Sequence, residues 1–392
     1  MNIAKEKNMY IPDYEKGILS TMSAIRAYFG LDTYQKIDDE LYAWLKDHSF
    51  QQVVVMLIDG MGAYQIDRYC EEKGFLKTYQ KKIVDTVYPP TTVAATTAIL
   101  NGKQPCVNAW LGWQQYFLEC DENIVMFFDE DFYTEQKKEK GYVQKQLPVT
   151  NMIEECIQKG IQASSIYPAW RENGAKNFQE LCDKVVEKSH GNDRLVYAYW
   201  DQYDSIMHTY GATHKKSVEM LRSFDDILQH TMKELPETTG LMIIADHGHI
   251  DVRNDFLNRY PDLVECFEHL PALEPRTIAF YIQKDKQEIF KKLFLSYFGN
   301  DFKLFTKQEI IDMKLFGKEV SHSRFQDFLG DFIACAISDL NLDYDDHDII
   351  LGSHAGATKE EIQIPVILYE GKKKDNVSHF SFPKTRLCSR FQ

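Results

Sequence analysis

The chain has 392 residues, of which 44% are hydrophobic and 27% are charged, so it can bury a large core and its composition argues against wholesale disorder. Its formal net charge of −14 argues against binding nucleic acid or an anionic membrane surface through a basic face. An anionic small-molecule substrate stays possible, because bound metal cations reverse the local electric field.

The N-terminal stretch MNIAKEKNMYIPDYEKGIL lacks the uninterrupted apolar region of a signal peptide. No window of the sequence approaches the roughly 18 apolar residues of a membrane span. The cysteines are scattered singly, without a CxxC pair, at Cys70, Cys106, Cys120, Cys156, Cys182, Cys266, Cys335 and Cys388. Reduced thiols are their simplest interpretation, so we expect a cytoplasmic protein without a membrane partner.

Residues 1–48 are predicted to form an N-terminal helical extension. Beyond them, short β-branched runs alternate with longer amphipathic runs, a pattern typical of an α/β protein with a largely parallel sheet. Several of the predicted core strands are apolar throughout, as expected when helices cover both faces of the sheet. These strands lie at 53–58, 163–167, 195–200, 241–245 and 364–369. The apolar spacing predicts helices at 176–190 and 215–235.

Residues 256–326 differ in character and are predicted to form a small inserted α+β subdomain. Within it, RTIAFYIQ is expected to be a strand, and the stretches 286–299 and 305–317 are expected to be helices. The catalytic core is then expected to comprise residues 49–255 and 327–385.

Acidic and imidazole side chains follow the core strands. In open α/β sheets, ligands bind outside the carboxyl ends of the strands, so side chains delivered repeatedly to that edge indicate one convergent site. The residues concerned are Asp59 after the first strand, Asp204 and His208 after the third, Asp246 and His247 after the fourth, and His354 before the last.

Each of these motifs is weak alone. An Asp-His-Gly sequence after a strand is commonly a turn, and an Asp and a His four residues apart are as often a surface pair on a helix. Together, however, three carboxylates and three imidazoles suit Zn²⁺, with Mn²⁺ or Fe²⁺ possible. With a hydroxyl or a water they furnish two metal sites, and two cations about 3.5–4 Å apart can clamp both oxygens of a phosphoryl displacement.

The stretch YPPTTVAATTAILNG, residues 88–102, places Thr91 or Thr92 at the start of a short helix that Asn101 and Gly102 end. Threonine is an ordinary capping residue at this position. Beside two cations, a hydroxyl at a helix start gains a second use. The helix dipole and the free N–H groups favour an incoming phosphate, and metal coordination activates the hydroxyl for attack.

The order of these motifs resembles the alkaline phosphatase superfamily, and within it the type I phosphodiesterase/nucleotide pyrophosphatase family. The resemblance covers about residues 50–370 and rests on Asp59, YPPTT, Asp204-x-x-x-His208, Asp246-His247-Gly and Gly-x-His354. It implies an alkaline phosphatase-like fold, with a central mostly parallel sheet flanked by helices.

The resemblance also implies roles for individual residues. The distances from the proline and from Asn101-Gly102 select Thr92 as the nucleophile and leave Thr91 as a turn or capping residue. One zinc would be held by Asp204, His208 and His354. The other would be held by Asp59, Thr92, Asp246 and His247.

One departure concerns the substrate. Nucleotide pyrophosphatases of the family carry an Asn about twenty residues past the nucleophile, and here Trp113 stands in that register with Asn108 upstream. Both are candidate substrate-binding residues. Trp113 belongs to an aromatic group (Trp110, Trp113, Tyr116, Phe117) expected to pack in the core or, alternatively, to form a wall for a leaving group.

The positions of two further residues near the motifs suggest alternative roles for each. His249 is expected to be an ordinary strand-end histidine, with a hydrogen bond to a metal ligand as the alternative. Asp201 is either a turn residue or an orienting group for a ligand.

We therefore predict a two-metal hydrolase of phosphoric esters that acts through a phosphothreonine intermediate on phosphodiester or pyrophosphate bonds, with monoesters as a further candidate substrate class. The cofactors would be two divalent cations, most plausibly zinc with manganese as an alternative, and the partner a small phosphate ester. A phosphotransferase or mutase of the same fold, and a non-catalytic metal- and phosphate-binding protein, are the alternatives.

Overall fold

A computed structural model describes residues 9–347 and 349–372. Within these ranges the strands are β1 Gln52–Ile58, β2 Gln80–Asp85, β3 Gln114–Phe117, β4 Glu122–Val125, β5 Glu130–Asp131, β6 Ala163–Ile166, β7 Leu195–Trp200, β8 Thr239–Ile244, β9 Ile250–Asp251, β10 Arg253–Phe256, β11 Phe267–Glu274, β12 Thr277–Ile282, β13 Phe302–Thr306, β14 Phe332–Ala336, β15 Leu340–Asp343, β16 Gly352–Ser353 and β17 Gln363–Glu370. All five predicted core strands are present. Cys388 and the end of the predicted core segment lie outside the described residues.

The α-helices of the described residues alternate with these strands. They are α1 Ile18–Tyr28, α2 Asp39–His48, α3 Ala63–Tyr69, α4 Phe75–Tyr79, α5 Thr92–Asn101, α6 Pro105–Asn108, α7 Tyr142–Gln146, α8 Met152–Gln158, α9 Phe178–Ser189, α10 Gln202–Tyr210, α11 Lys215–Thr231, α12 Pro261–Val264, α13 Gln287–Phe298, α14 Lys307–Met313 and α15 Lys359–Ile362. The helix α11 follows its sequence pattern, since Ser217, Leu221, Phe224 and Leu228 are buried along one face.

The central sheet has six strands in the order β2-β17-β8-β1-β7-β6. The inner strand β1 is parallel to both neighbours, so that Val55 pairs with Tyr197 of β7 and with Met242 of β8. The strand β17 is antiparallel to β8 and to β2, and it is the one reversed strand of this sheet. Every residue of β1 and of β8 is buried, as the apolar runs predict for strands covered on both faces.

A second sheet of seven strands, in the order β13-β14-β12-β11-β3-β4-β5, is built from antiparallel pairs. Strands β11, β12 and β13 come from the predicted subdomain 256–326, and its two predicted helices are α13 and α14. The same sheet also takes in β3, β4, β5 and β14, which lie outside that segment. The division of the chain into domains stays a prediction.

Three buried clusters hold these layers together. The largest surrounds the central sheet and includes Ile18, Leu19 and Ile25 of α1 and Leu41 and Leu45 of α2, so the N-terminal helices share the core of the sheet. A second cluster packs residues of the second sheet against the loops that contain Tyr88 and Trp110. The third packs three phenylalanines of α13 on the outer strands of the second sheet, at Phe290, Phe294 and Phe298.

Candidate active site

The polar residues singled out in the sequence meet at one edge of the central sheet. Asp59 follows the end of β1, and Asp246 and His247 follow the end of β8. Asp204 and His208 lie one turn apart on α10, which begins directly after β7. His354 follows β16, a short strand that pairs with β9 just beyond the Asp-His-Gly sequence. The carboxyl ends of three parallel strands thus supply the site, as expected for an open α/β sheet.

Gly60 allows the end of β1 and helix α10 to approach each other closely. Its φ of +71° lies in the left-handed region, and a Cβ there would lie 2.9 Å from the Met207 side chain and 3.3 Å from the Asp204 backbone. Its N–H donates to Asp246 Oδ1 at 3.1 Å. A larger residue would push α10 away from the end of β1, so glycine is required for the site to form.

Three histidines present the same ring nitrogen to the centre of the site. The Nδ1 of His208 lies 2.9 Å from the Gly352 carbonyl, that of His247 lies 3.1 Å from the Gly248 carbonyl, and that of His354 lies 3.1 Å from the Pro90 carbonyl. A carbonyl oxygen only accepts, so each Nδ1 carries the proton. When it is neutral, each ring therefore offers the Nε2 lone pair, which is the arrangement of a metal-binding imidazole.

The Nε2 atoms lie next to the predicted carboxylates. His208 Nε2 is 3.3 Å from Asp204 Oδ2, and His354 Nε2 is 3.8 Å from Asp204 Oδ1. His247 Nε2 is 3.2 Å from Asp59 Oδ1 and 3.6 Å from Asp246 Oδ2. These contacts bring together all six of the predicted carboxylate and imidazole side chains.

The ligand atoms form two overlapping groups. The carboxylates and rings of Asp59, Asp246 and His247 offer atoms within 4.8 Å of one another, and so do those of Asp204, His247, His249 and His354. His247 belongs to both groups, and its ring stacks on that of His354 with centroids 3.8 Å apart. The first group matches three of the residues that the resemblance assigns to one metal, whereas the second contains Asp204 and His354 of the other metal without His208. The division into two metal sites therefore remains a proposal.

His249 lies inside this cluster, which the sequence analysis does not expect of it. It is fully buried, and its Nε2 donates to Asp204 Oδ1 at 2.8 Å. Its orientation is opposite to that of the other three histidines, because Nε2 carries the proton and the buried Nδ1 has no hydrogen-bond partner among the described residues. His249 therefore fixes a candidate ligand, which is the alternative role considered for it.

The residues fit divalent cations by their chemistry. Asp59 Oδ1 and Asp246 Oδ2 are buried and accept no hydrogen bond from a described residue. Burial raises the pKa of both carboxyls well above the usual value, Asp204 raises that of Asp59 further, and the Asp59 carboxylate does the same to Asp246. Two buried carboxylates that repel each other are stabilised by a cation between them, so these atoms are suited to a metal.

Asp204 and His208 form the opposite kind of pair. Burial opposes charge on both, yet the adjacent imidazole of His208 holds the pKa of Asp204 well below its usual value. In return, Asp204 raises the pKa of His208 to about 9. Without a metal, this half of the site is held together by an ion pair, in which a proton on His208 occupies the place of a cation.

Thr92 is the first residue of α5, and its Oγ1 lies 3.2 Å from His247 Nε2. Thr91 precedes the helix, but its side chain forms no capping hydrogen bond. The first N–H groups of α5 therefore stay uncapped and point towards the site, where a helix start favours an anion. The Gly102 residue ends the helix with a φ of +75°, as the Asn-Gly sequence predicts.

The Thr91 hydroxyl has a different partner. It donates to Glu274 Oε1 at 2.5 Å, and the backbone N–H of Trp113 donates to the same oxygen at 2.7 Å. Burial raises the pKa of Glu274 to about 7, while these two hydrogen bonds lower it. Glu274 ends β11, far along the chain from Thr91, and no motif in the sequence points to it.

A cavity of about 320 Å³ opens beside the candidate nucleophile. Thr92, Asp204, His208 and His354 line its polar end, together with Glu274. Aromatic and aliphatic side chains form much of the remaining wall, including Trp113, Phe132, Tyr133, Leu257, Leu273, Leu342, Tyr344 and Ile350. Of the aromatic group noted in the sequence, Trp113 lines this wall, while Trp110, Tyr116 and Phe117 are core residues.

Asn108 does not line this cavity. Its Oδ1 accepts from the Trp110 N–H at 2.8 Å, and it borders a separate surface cavity next to Asn101 and Lys103. The turn after α6 carries the chain away from Asn108 before Trp113 reaches the site, so proximity in sequence does not become proximity in space. We therefore do not carry Asn108 forward as a substrate-binding residue.

Two other polar side chains lie near the site, and one of them contacts a candidate ligand. The Tyr199 hydroxyl donates to Asp59 Oδ2. Tyr199 lies in an apolar strand, where a tyrosine is indistinguishable from a core residue by sequence. Asp201 accepts a hydrogen bond from the Trp170 indole at 2.7 Å and begins α10.

The model of the type I phosphodiesterase/nucleotide pyrophosphatase family matches residues 120–355, more than half of the chain. The chain belongs to this family. The matched segment contains Asp204, His208, Asp246, His247 and His354, whereas Asp59 and Thr92 precede it. Family membership confirms the resemblance and indicates a hydrolase of phosphoric esters from a family that is typically metal-dependent.

Solved structures agree on the fold. Murine ectonucleotide pyrophosphatase/phosphodiesterase 5 superposes with a TM-score of 0.62 at 16% identity, over 81% of this chain and 87% of that one. An inactive variant of the same murine protein was solved in complex with AMP. Phosphonoacetate hydrolase from Sinorhizobium meliloti 1021, in complex with phosphonoacetate, gives 0.60 at 14% identity over 84% and 92% of the two chains. At these identities the likeness confirms the alkaline phosphatase-like fold alone.

A search of curated protein sequences finds no match. Among the described residues, no helix has the length and apolar character needed to cross a bilayer.

Proposed function

We propose that this family member is a two-metal hydrolase that cleaves phosphodiester or pyrophosphate bonds, with Thr92 as its nucleophile. The observation that carries the proposal is the position of the Thr92 hydroxyl, which lies 3.2 Å from His247 Nε2 at the uncapped start of α5. Asp59, Asp246 and His247 would hold one cation with Thr92. Asp204, His208 and His354 would hold the other.

The protein's own groups would act as follows. The Thr92 oxygen forms a bond to phosphorus while the bond to the leaving oxygen breaks, which gives a phosphothreonine and a released alcohol or phosphate. The free N–H groups at the start of α5 bind the equatorial phosphoryl oxygens. Water then cleaves the phosphothreonine and restores Thr92. The cations, when bound, would lower the pKa of the attacking hydroxyl and neutralise charge on the phosphoryl group.

Zinc is our proposed metal and manganese the alternative, because the donors are imidazole nitrogens and carboxylate oxygens. A cytoplasmic location and the absence of a nucleic-acid partner stay predictions from the sequence. The cysteines in the described part of the chain are free thiols, which is compatible with a reducing compartment.

The test is hydrolysis of bis(p-nitrophenyl) phosphate and p-nitrophenyl phosphate by the zinc-loaded and the manganese-loaded protein, with and without chelator. Thr92→Ala is expected to lower kcat/KM by at least about 10³-fold, as for other removed nucleophiles. Thr97→Ala, on the same helix but away from the ligands, serves as the matched control and should keep most of the activity. Undiminished turnover by Thr92→Ala would overturn the nucleophile, and chelator-insensitive turnover would overturn the metals.

A further inference from the structure

Glu274 is a buried carboxylate beside the proposed nucleophile that the reaction above does not use. It is 7% exposed and lines the same cavity as Thr92. Its two hydrogen bonds from described residues, donated by Thr91 and Trp113, both end on Oε1. The second oxygen, Oε2, accepts none, and the exposed part of Glu274 opens into the cavity that it lines. A ligand in the cavity that supplied a donor would therefore gain a hydrogen bond to a largely buried carboxyl group that has no other donor for this oxygen among the described residues.

The two bonds at Oε1 also fix the direction of the carboxylate. Thr91 precedes the nucleophile by one residue, and Trp113 forms part of the cavity wall. Because the Thr91 hydroxyl and the Trp113 backbone N–H both hold Oε1, the side chain cannot turn away without losing them. The carboxylate is therefore held in one orientation at the cavity that Thr92 also lines, in the way that a preorganised specificity residue requires.

The charge of the cavity excludes one kind of substrate group. None of the described residues that line it is Lys or Arg, and Glu274 adds an acidic group close to where the phosphorus would sit. A second anionic group on the substrate would meet repulsion and no cationic partner. A hydroxyl or an ammonium group would instead donate a hydrogen bond to Oε2, while the carbon atoms of the ester group contact Trp113 and Leu273.

We propose that Glu274 is a specificity residue that selects phosphate esters whose ester group carries a hydrogen-bond donor, a hydroxyl or an ammonium, close to phosphorus. This inference rests on the proposed function, since it takes the Thr92 end of the cavity as the phosphoryl site. It assigns Glu274 no part in bond making or breaking.

The experiment measures binding of four phosphate monoesters by calorimetry to the zinc-loaded Thr92→Ala protein, in which turnover cannot interfere. The ligands are ethyl phosphate, 2-hydroxyethyl phosphate, 2-aminoethyl phosphate and 2-(trimethylammonio)ethyl phosphate. The first offers neither a donor nor a positive charge at its ester end, and the last offers charge without a donor. At least one of the two donor-bearing ligands is expected to bind about tenfold or more tightly than ethyl phosphate, and the trimethylammonium ligand within about threefold of it.

The same titrations in Glu274→Gln and Glu274→Met separate the carboxylate from the fold. Glu274→Met should abolish the preference for both donor ligands, and Glu274→Gln should abolish that for the ammonium while keeping part of that for the hydroxyl. Each preference is a ratio within one variant, so partial loss of folded protein does not alter it. Glu288→Gln, on the exposed face of α13, is the matched control and should keep the ratios of the parent.

Outcomes for the two proposals are distinct. Equal affinity for all four ligands, or a donor preference that survives in Glu274→Met, would overturn the role of Glu274 while leaving hydrolysis by the wild-type protein unaffected. A donor preference that depends on Glu274, in a protein that cleaves none of the test esters, would support the binding role and overturn the hydrolase. The donor ligand that binds more tightly shows whether Glu274 prefers a hydroxyl or an ammonium group on the ester.

Discussion

The histidines of the site differ in which ring nitrogen is held, and this difference assigns their roles. His208, His247 and His354 each give Nδ1–H to a backbone carbonyl, whereas His249 gives Nε2–H to the Asp204 carboxylate. Burial lowers the pKa of His249 to about 4, so this ring stays neutral at physiological pH. Its hydrogen bond orients the Asp204 carboxylate, so we expect its effect on a metal to be indirect, through that ligand.

Replacing His249 should weaken metal binding without removing a ligand. His249→Leu is expected to lower zinc affinity by about 10–100-fold, the usual effect of losing a residue that orients a ligand. His249→Gln, whose amide can still donate to Asp204, should recover part of the loss. Competition with a chromophoric chelator measures both. His230→Gln, on the exposed side of α11, is the control, and unchanged affinity in His249→Leu would contradict the orienting role.

Single residues of the site were predictable where chemistry and position coincide. Asp59, Asp246 and His247 follow apolar strands closely, and polar residues that recur at the carboxyl ends of several parallel strands are together a strong signal. Glu274 and Tyr199 gave no such signal, because each contacts the site across more than 100 residues of chain. Asn108 shows the opposite case. It is close to Trp113 in sequence, but a short turn separates the two residues and only Trp113 lines the cavity.

At the scale of elements, a buried ion pair holds the loop that carries His354. Arg276, just before β12, donates to both carboxylate oxygens of Glu361 in α15 at 2.7 and 2.9 Å, and both side chains are fully buried. Glu361 also accepts the N–H of Gly356 at 2.7 Å. The second sheet thereby fixes the backbone two residues beyond a candidate metal ligand.

Gly356 leaves no room in this arrangement. A Cβ there would lie 2.6 Å from Arg276 Nη2 and 2.7 Å from a Glu361 oxygen. Gly356→Ala is therefore expected to lower the free energy of unfolding by about 1–3 kcal/mol, the usual cost of overpacking, and to weaken zinc binding through His354.

Urea denaturation and chelator competition measure these two effects of Gly356→Ala. Gly191→Ala, where the nearest atom to a new Cβ is 3.3 Å away, is the matched control with an expected change within about 0.5 kcal/mol. Stability lost with metal affinity intact would contradict a coupling between the ion pair and the site.

The elements of the central sheet were predictable and those of the second sheet were less so. Strands β1, β7 and β8 are apolar runs long enough to be recognised, and their burial on both faces explains the pattern. The strands β3, β4 and β5 have four residues or fewer; β3 and β4 mix polar with apolar side chains, and β5 consists of two acidic residues. They join the sheet through a pairing of Gln114 with Leu273, which no local pattern encodes.

At the scale of the whole molecule, we expect the site to make stability depend on metal and on pH. In the folded, metal-free protein the pKa of His208 is raised from 6.5 to about 9, so at this residue the folded state holds more protons than the unfolded chain between these two pH values. The stability that His208 contributes is present in full below about pH 6.5 and is lost as the pH rises towards 9. The raised pKa values of Asp59 and Asp246 act in the same direction.

In the presence of chelator, the melting temperature of the metal-free protein should therefore fall by roughly several degrees between pH 6.5 and pH 9. Saturating zinc should raise the melting temperature and remove most of this slope, because the cation replaces the proton on His208. Differential scanning calorimetry with and without chelator provides the measurement. His208→Gln should flatten the metal-free profile, and a flat profile in the unaltered protein would count against the ion pair.

The Pro90 carbonyl links the segment before the proposed nucleophile to the loop that carries the candidate metal ligand His354. It accepts the N–H of Ala355 at 2.9 Å and faces Nδ1 of His354 at 3.1 Å, two residues before Thr92. The turn that starts α5 and the loop after β16 consequently move as one body. To transfer this site to another scaffold, both main-chain segments, the turn before α5 and the loop after β16, would have to be placed in the same relative position. Copying the side chains alone would leave the His354 imidazole free to rotate.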